Sequence, residues 1–347
     1  MRFYTNEHTY YCGIDLHVEN MYLCIVDNKG SVLLHKNIKT EAKQLLLELE
    51  PYRDGLVIGC ECMYSWYWLA DLCAGQNIDF VLGHALYMKA IHGGKAKNDK
   101  LDSLKIAMML KGGMFPMSYL YPREMRSTRD LMRRRLFFVN KRAELLAHVQ
   151  MTHHQYNLPA PGRKIHHRVN RNTLILELQD ESALFMVRSD FAMIQNYTEE
   201  VNKIEYYIRK NTIKVGENNL IQSLLKSIPG IGDILSLTIL YEVEDIERFP
   251  SVQKFCSYSR LVKPEKTSAG KRAGGGGGKI GNPHLKWAFS EAAALMLRNE
   301  QAKQYMKRLQ KKYPKPKAMS ILSHRIGKAA YFILKRREVF SENKFYA

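Results

Sequence analysis

Residues 10–35 read YYCGIDLHVENMYLCIVDNKGSVLLH, and the fold turns on this stretch. The runs 10–15 (YYCGID) and 21–27 (MYLCIVD) are short and rich in β-formers, and Asn28, Lys29 and Gly30 make a turn before a third run, 31–35. Three such runs predict an antiparallel meander. Downstream the pattern changes: the spacing predicts a helix over 41–49, an apolar strand over 55–61 (GLVIGCE), a helix near 66–74 and a strand over 78–82. Hairpins followed by alternating helix and strand imply a mixed α/β sheet covered by helices, because consecutive parallel strands need a crossover long enough to hold one.

From about Arg123 the periodicity becomes that of long helices. Met132, Leu136, Val139, Ala143 and Leu146 recur at spacings of four and three, with Arg133, Arg134, Arg135, Lys141 and Arg142 on the remaining faces. Leu184, Val187, Phe191, Ile194, Thr198, Val201, Ile204 and Ile208 form a second seam close to a 3.5-residue repeat, so a helical hairpin or coiled coil is predicted. Between the seams, 157–171 (NLPAPGRKIHHRVNR) joins Pro159, Pro161 and Gly162 to a dense basic run, predicting a loop that a polyanion could order. Further on, Ser227-Ile228-Pro229-Gly230-Ile231-Gly232 leads into an apolar helix whose first amides could grip a phosphate. A five-glycine run, 274–278, lies inside a basic loop, and helices are predicted over 288–297 and from the basic segment 307–317 to near Arg337. This gives an α/β plus α chain in three parts: 1–120 a mixed sheet, 121–215 a helical coiled-coil region with its basic loop, and 216–347 a mainly helical domain.

A length of 347 residues, at about 150 per domain, allows real hydrophobic cores and excludes a disulfide mini-protein. Lys and Arg number 53 against 34 Asp and Glu, a net charge of +19 that makes a polyanion the expected partner, nucleic acid before an anionic membrane surface. The plain alternative is a basic enzyme whose charge only keeps it soluble. No apolar run approaches the roughly 18–20 residues of a membrane span and the N-terminus lacks a signal-peptide core, so a cytoplasmic protein without a membrane partner is expected. The cysteines show no C-x-x-C pair and are expected as reduced core thiols, not a zinc site.

Four acidic residues are the candidates to carry chemistry. Asp15 and Glu61 close two of the predicted strands, while Asp99 and Asp102, in the stretch 97–103 (KNDKLDS), share one face at the start of a helix. Carboxylates at strand ends of an α/β sheet face the crevice where ligands bind, and a helix start could deliver its pair to the same place. Such a cluster needs cations to offset its own repulsion; hard oxygen donors select Mg2+ or Mn2+, and two ions about 4 Å apart suit phosphoryl transfer. Tyr64, Trp66, Tyr67 and Trp68 could stack on bases but are expected in the core, and His153, His154, His166 and His167 are expected as exposed polar residues.

These elements have a family likeness. The hairpin-then-alternation order is that of ribonuclease-H-like folds. Cys12-Gly13-Ile14-Asp15-Leu16-His17, Glu61 and Lys97-Asn98-Asp99-Lys100-Leu101-Asp102 resemble the RuvC-like DEDD domain of transposases of insertion-sequence family one-ten. Ile228-Pro229-Gly230-Ile231-Gly232, Arg248-Phe249, Leu261-Val262-Lys263-Pro264, Thr267-Ser268-Ala269-Gly270, Lys279-Ile280-Gly281-Asn282 and Glu291-Ala292-Ala293 resemble that family's second domain, in order. The resemblance implies a recombinase that excises and inserts its own element, guided by a structured noncoding RNA often called a bridge RNA. It implies Asp15, Glu61, Asp99 and Asp102 as Mg2+ ligands and Ser268 as the nucleophile of a covalent phosphoserine link, in a site composed from two subunits of a homo-oligomer, a dimer assembling to a tetramer.

The sequence departs from the family pattern at Ser268-Ala269-Gly270, at Ser103 and in the five-glycine run; the first leaves Thr267 as a rival nucleophile. Arg133, Arg134, Arg135, Lys164, Arg168, Arg171, Lys271, Arg272 and Lys279 are expected to meet phosphates of donor and target duplex DNA and of the guide RNA. Two other readings fit the same residues: a Holliday-junction resolvase or other metal nuclease that cuts with water, and a non-catalytic nucleic-acid-binding protein whose carboxylates are structural.

Overall fold

Strand alternation builds the first unit. In the computed structural model, which describes residues 2–92, 98–159, 161–162, 165, 168–212, 216–263, 267–268, 271–272 and 280–346, the chain separates into Met1–Arg123 and Glu124–Ala347. The first unit runs β1 (Phe3–Tyr4), β2 (Tyr10–Leu16), β3 (Asn20–Asp27), β4 (Val32–Lys39), α1 (Ala42–Leu49), β5 (Leu56–Glu61), α2 (Trp66–Gly75), β6 (Asp79–Gly83), α3 (Ala85–His92), α4 (Asp99–Lys111) and β7 (Phe115–Pro116). Its main sheet has the order β4-β3-β2-β5-β6, antiparallel across β4, β3 and β2 and parallel across β2, β5 and β6. This is the predicted mixed sheet, consistent with a RuvC-like fold. The β3–β4 turn closes as expected: Gly30 takes φ +91°, and Asp27 Oδ1 accepts from the backbone N–H groups of Lys29 and Ser31 at 2.9 and 2.8 Å.

The two faces of β2 have different company. Cys12, Ile14 and Leu16 pack with Leu45 and Leu49 of α1 and with Leu69 and Cys73 of α2. Tyr11 faces the other way, into a cluster with Val57, Val81 and the α4 residues Ile106, Ala107 and Leu110. Gly13 lies on that second face, and α4 rests directly on it: a Cβ there would stand 2.1 Å from the Ser103 carbonyl oxygen and 2.4 Å from the Ala107 nitrogen. Its register partner Gly59 would likewise bring a Cβ to 2.7 Å from Leu110 Cδ1. Only a side chain of zero size lets the helix approach this closely. The small residue at 103 has the same cause, since Ser103 is fully buried in that contact.

The second unit is helical: α5 (Arg123–Gln155), α6 (Arg168–Leu176), α7 (Glu181–Thr212), α8 (Gly216–Lys226), α9 (Asp233–Val243), α10 (Val252–Tyr258), α11 (Pro283–Met296), α12 (Glu300–Gln310), α13 (Lys315–Arg336) and α14 (Glu342–Tyr346), with a two-residue ladder of β8 (Thr267–Ser268) and β9 (Lys271–Arg272). α5 and α7 form an antiparallel hairpin, with His148 bonded to Asp190, Arg142 to Thr198 and Arg135 to Glu205. The α7 seam is buried or half-buried throughout, but Ala143 of the α5 seam is exposed.

Two further expectations are corrected. The basic segment does not stay a loop to residue 171: α6 starts at Arg168, because Leu174 and Leu178 pack with Val187, Phe191 and Ile194 of α7, and that apolar contact outweighs the local charge. His153 is fully buried in place of exposed, and burial lowers its pKa, whereas His154 is exposed as expected. Lys164, His166, His167, the five-glycine run and Lys279 lie outside the described residues. The turn at Gly230 is a packing device: its φ is +91°, and a Cβ would stand 2.5 Å from the Ala292 carbonyl oxygen of α11. The N-terminus of α9 already carries an anion of its own, Asp233, bonded to Lys226 at 2.6 Å. Among the described residues no helix is long and apolar enough to cross a membrane.

Candidate active site

Asp15 sits one residue beyond Ile14, which pairs with Cys60, and Glu61 is one residue beyond Cys60. The two carboxylates thus end neighbouring parallel strands at the same level, on the face that carries Gly13, Gly59 and α4. The helix brings the other pair. Asn98 caps it by accepting from the Lys100 backbone N–H at 2.9 Å, which places Asp99 and Asp102 in the first turn.

The side chains do not converge equally. Asp15 Oδ2 lies 3.4 Å from His17 Nε2, which lies 3.7 Å from Asp99 Oδ2; donor atoms of these three residues all fall within 4.8 Å of one another. Asp102 is near enough to act on Asp15 electrostatically, and its Oδ1 accepts from Lys105 at 2.9 Å. Burial pushes the Asp15 carboxyl above its ordinary range; His17 opposes this, and the Asp99 and Asp102 charges add to it. An excess of negative charge held by the fold is an arrangement a divalent cation would relieve, and the oxygen-rich donor set fits one. The sequence signal for His17 is its position two residues after Asp15, which strand alternation puts on the same side.

Ser268 belongs to the second unit, in the β8–β9 ladder, where it pairs with Lys271 as Thr267 pairs with Arg272. Of the residues expected at phosphates, Arg134 is exposed and stacks over Phe137 at 5.4 Å, and Arg171 lies over Phe191 at 5.5 Å with a 3.4 Å bond to Gln195. Arg168 falls in the first turn of α6. Arg135 is paired with Glu205 at 2.7 Å. Arg133 belongs to a buried network: its Nε donates to Glu242 Oε1 at 2.6 Å, while Arg129 and Asn282 donate to Oε2 at 3.0 and 2.8 Å. Burial would raise the Glu242 carboxyl, but the Arg133 and Arg129 guanidiniums and the Asn282 amide overcome it and hold its pKa at about 2. This network was not read from the sequence; the signal was a single Glu inside the apolar run ILYEV.

Comparison with known proteins bears on this arrangement of a strand-end carboxylate site on a mixed sheet followed by a helical second unit. Residues 12–157 match the DEDD model described as Transposase, and residues 222–307 match the model described as Transposase IS116/IS110/IS902 family. The two matches, in this order along the chain, support a transposase of the IS110 family. It is similar to the transposase for insertion sequence element IS1111A of Coxiella burnetii, strain RSA 493 / Nine Mile phase I, with 23% identity over 336 residues, 94% of this chain and 90% of that protein.

Proposed function

We propose that this transposase excises and inserts its element by strand exchange in which Asp15, Glu61, Asp99 and Asp102 hold Mg2+, or Mn2+, against the scissile phosphate and Ser268 supplies the attacking hydroxyl. The observation that carries the reading is the juxtaposition of Asp15 and Asp99 by main-chain contact between α4 and β2. A divalent cation in such a site neutralises the phosphate and lowers the cost of deprotonating a nucleophile. The chain's own part is to hold the carboxylates together, to place them at the crevice end of the sheet, and to present a hydroxyl whose proton is lost as it attacks.

On this reading, cationic residues including Arg134, Lys164, Arg168, Arg171, Lys271, Arg272 and Lys279 meet phosphates of donor and target DNA and of a noncoding guide RNA. Sequence choice then rests on base pairing to that guide. The working form is a homo-oligomer, a dimer that assembles to a tetramer. The test is to incubate protein, co-expressed RNA and cognate element ends with Mg2+ and to trap protein on cleaved DNA. A covalent adduct that disappears in Ser268→Ala and is unaffected by Thr267→Val is expected, as is loss of cleavage with DNA binding retained in Asp15→Asn. Cleavage by Ser268→Ala without an adduct would establish a water-using nuclease, and cleavage by Asp15→Asn would remove the metal site.

A further inference from the structure

We infer that His17 is a nitrogen ligand of the cation held by Asp15 and Asp99, and that it biases the site toward first-row transition-metal ions, Mn2+ included, over Mg2+. The inference rests on the carboxylate-metal reading above and goes beyond its four residues.

Asp15 and His17 are two residues apart where β2 runs out, so strand alternation directs both to the side on which α4 begins. His17 Nε2 stands 3.4 Å from Asp15 Oδ2 and 3.7 Å from Asp99 Oδ2. Neither separation is that of a short charged hydrogen bond, about 2.7–2.9 Å. Donors bound to one ion at about 2.1 Å stand about 3 Å apart when they occupy adjacent octahedral positions, so an ion could take all three with shifts below an ångström. His17 is half-exposed, and the fold does not need it as filler. Asp102, the remaining carboxylate of the helix pair, finds its partner in Lys105, which leaves His17 to Asp15 and Asp99.

The chemistry of the donor then sets the preference. Mg2+ keeps oxygen ligands and dehydrates reluctantly, whereas a neutral imidazole strengthens binding of transition-metal ions in the order in which their affinity for nitrogen rises. An all-carboxylate site has no such bias. Replacing His17 should therefore cost the transition-metal ion more than it costs Mg2+.

Electron paramagnetic resonance of Mn2+ added to the full-length protein, alone and with a short duplex, tests this. The expected result is bound Mn2+ whose electron spin-echo modulation shows a directly coordinated imidazole nitrogen. In His17→Gln that modulation disappears and Mn2+ affinity falls about tenfold or more, since even an outer-shell partner of a metal ligand costs roughly 10–100-fold. Competition by Mg2+ should become correspondingly more effective. Asp15→Asn should abolish the bound signal. Mn2+ that depends on Asp15 but shows no nitrogen modulation, or modulation that survives in His17→Gln, overturns the role of His17 and leaves the carboxylate site standing. Absence of bound Mn2+, or binding indifferent to Asp15→Asn, overturns both. Circular dichroism of His17→Gln should match the parent, which separates ligand loss from misfolding.

Discussion

Asp15 at the end of β2 and Glu242 inside α9 are both carboxylates withdrawn from water, and their protons behave in opposite ways. Burial raises the Asp15 carboxyl and two neighbouring aspartates add to the effect. Glu242 is more deeply buried, yet two guanidiniums and an amide bring it down to about 2. One cluster is neutralised by two guanidiniums on the chain; the other gathers three carboxylates against one histidine and one lysine. The contrast separates architecture from site: a saturated buried carboxylate locks helices together, whereas an undersaturated one marks where a ligand belongs.

The largest expected effect lies at the saturated cluster. Glu242→Gln leaves Arg129 and Arg133 facing each other without their anion and should cost about 3–5 kcal/mol in chemical denaturation. A loss below 1 kcal/mol, roughly the size of an exposed pair's contribution, would place the network among ordinary surface contacts. Acid should act on the same group. Because its folded pKa of about 2 lies below the ordinary 4.5, the stabilisation is complete above about pH 5 and is lost as pH falls toward 2. The contribution is about 3 kcal/mol at most, visible as a slope in stability that Glu242→Gln lacks.

At the undersaturated cluster the sign reverses. Mg2+ or Mn2+ at about 100 times its dissociation constant should stabilise the protein by about 2.7 kcal/mol in thermal unfolding, an increment missing from Asp15→Asn and Asp99→Asn. Without metal, Asp15→Asn should be the smallest change of all, no less stable than the parent, because it removes a charge that its surroundings disfavour. A marked loss of stability in metal-free Asp15→Asn would show that this carboxylate is structural after all.

Much of the first unit was legible because its signals are local. Alternation in residues 10–35, the turn at Gly30 and the apolar strand ending at Glu61 each identify an element without reference to the rest of the chain. The four acidic positions follow from where those elements end. The non-local parts were not legible. Arg133 and Arg135 sit in a run that reads the same whether it meets phosphates or internal glutamates, and only the arrival of α9 and α7 decides. His153 looks like one of a polar pair, yet it is fully buried with Glu177 3.6 Å away, and α6 itself grows out of a basic segment because Leu174 finds partners on α5 and α7.

The glycine pair beneath α4 has a metrical consequence. Helix and sheet meet main chain to main chain at Gly13, so no rotamer change can open or narrow that gap. The reach between the strand end and the helix start is then adjustable only through the length of the acidic side chains themselves. A single added methylene, as in Asp99→Glu, would have to be absorbed inside the pocket because the scaffold cannot yield to it. The tolerance of this centre for lengthened side chains should accordingly be far narrower than its exposure to solvent suggests.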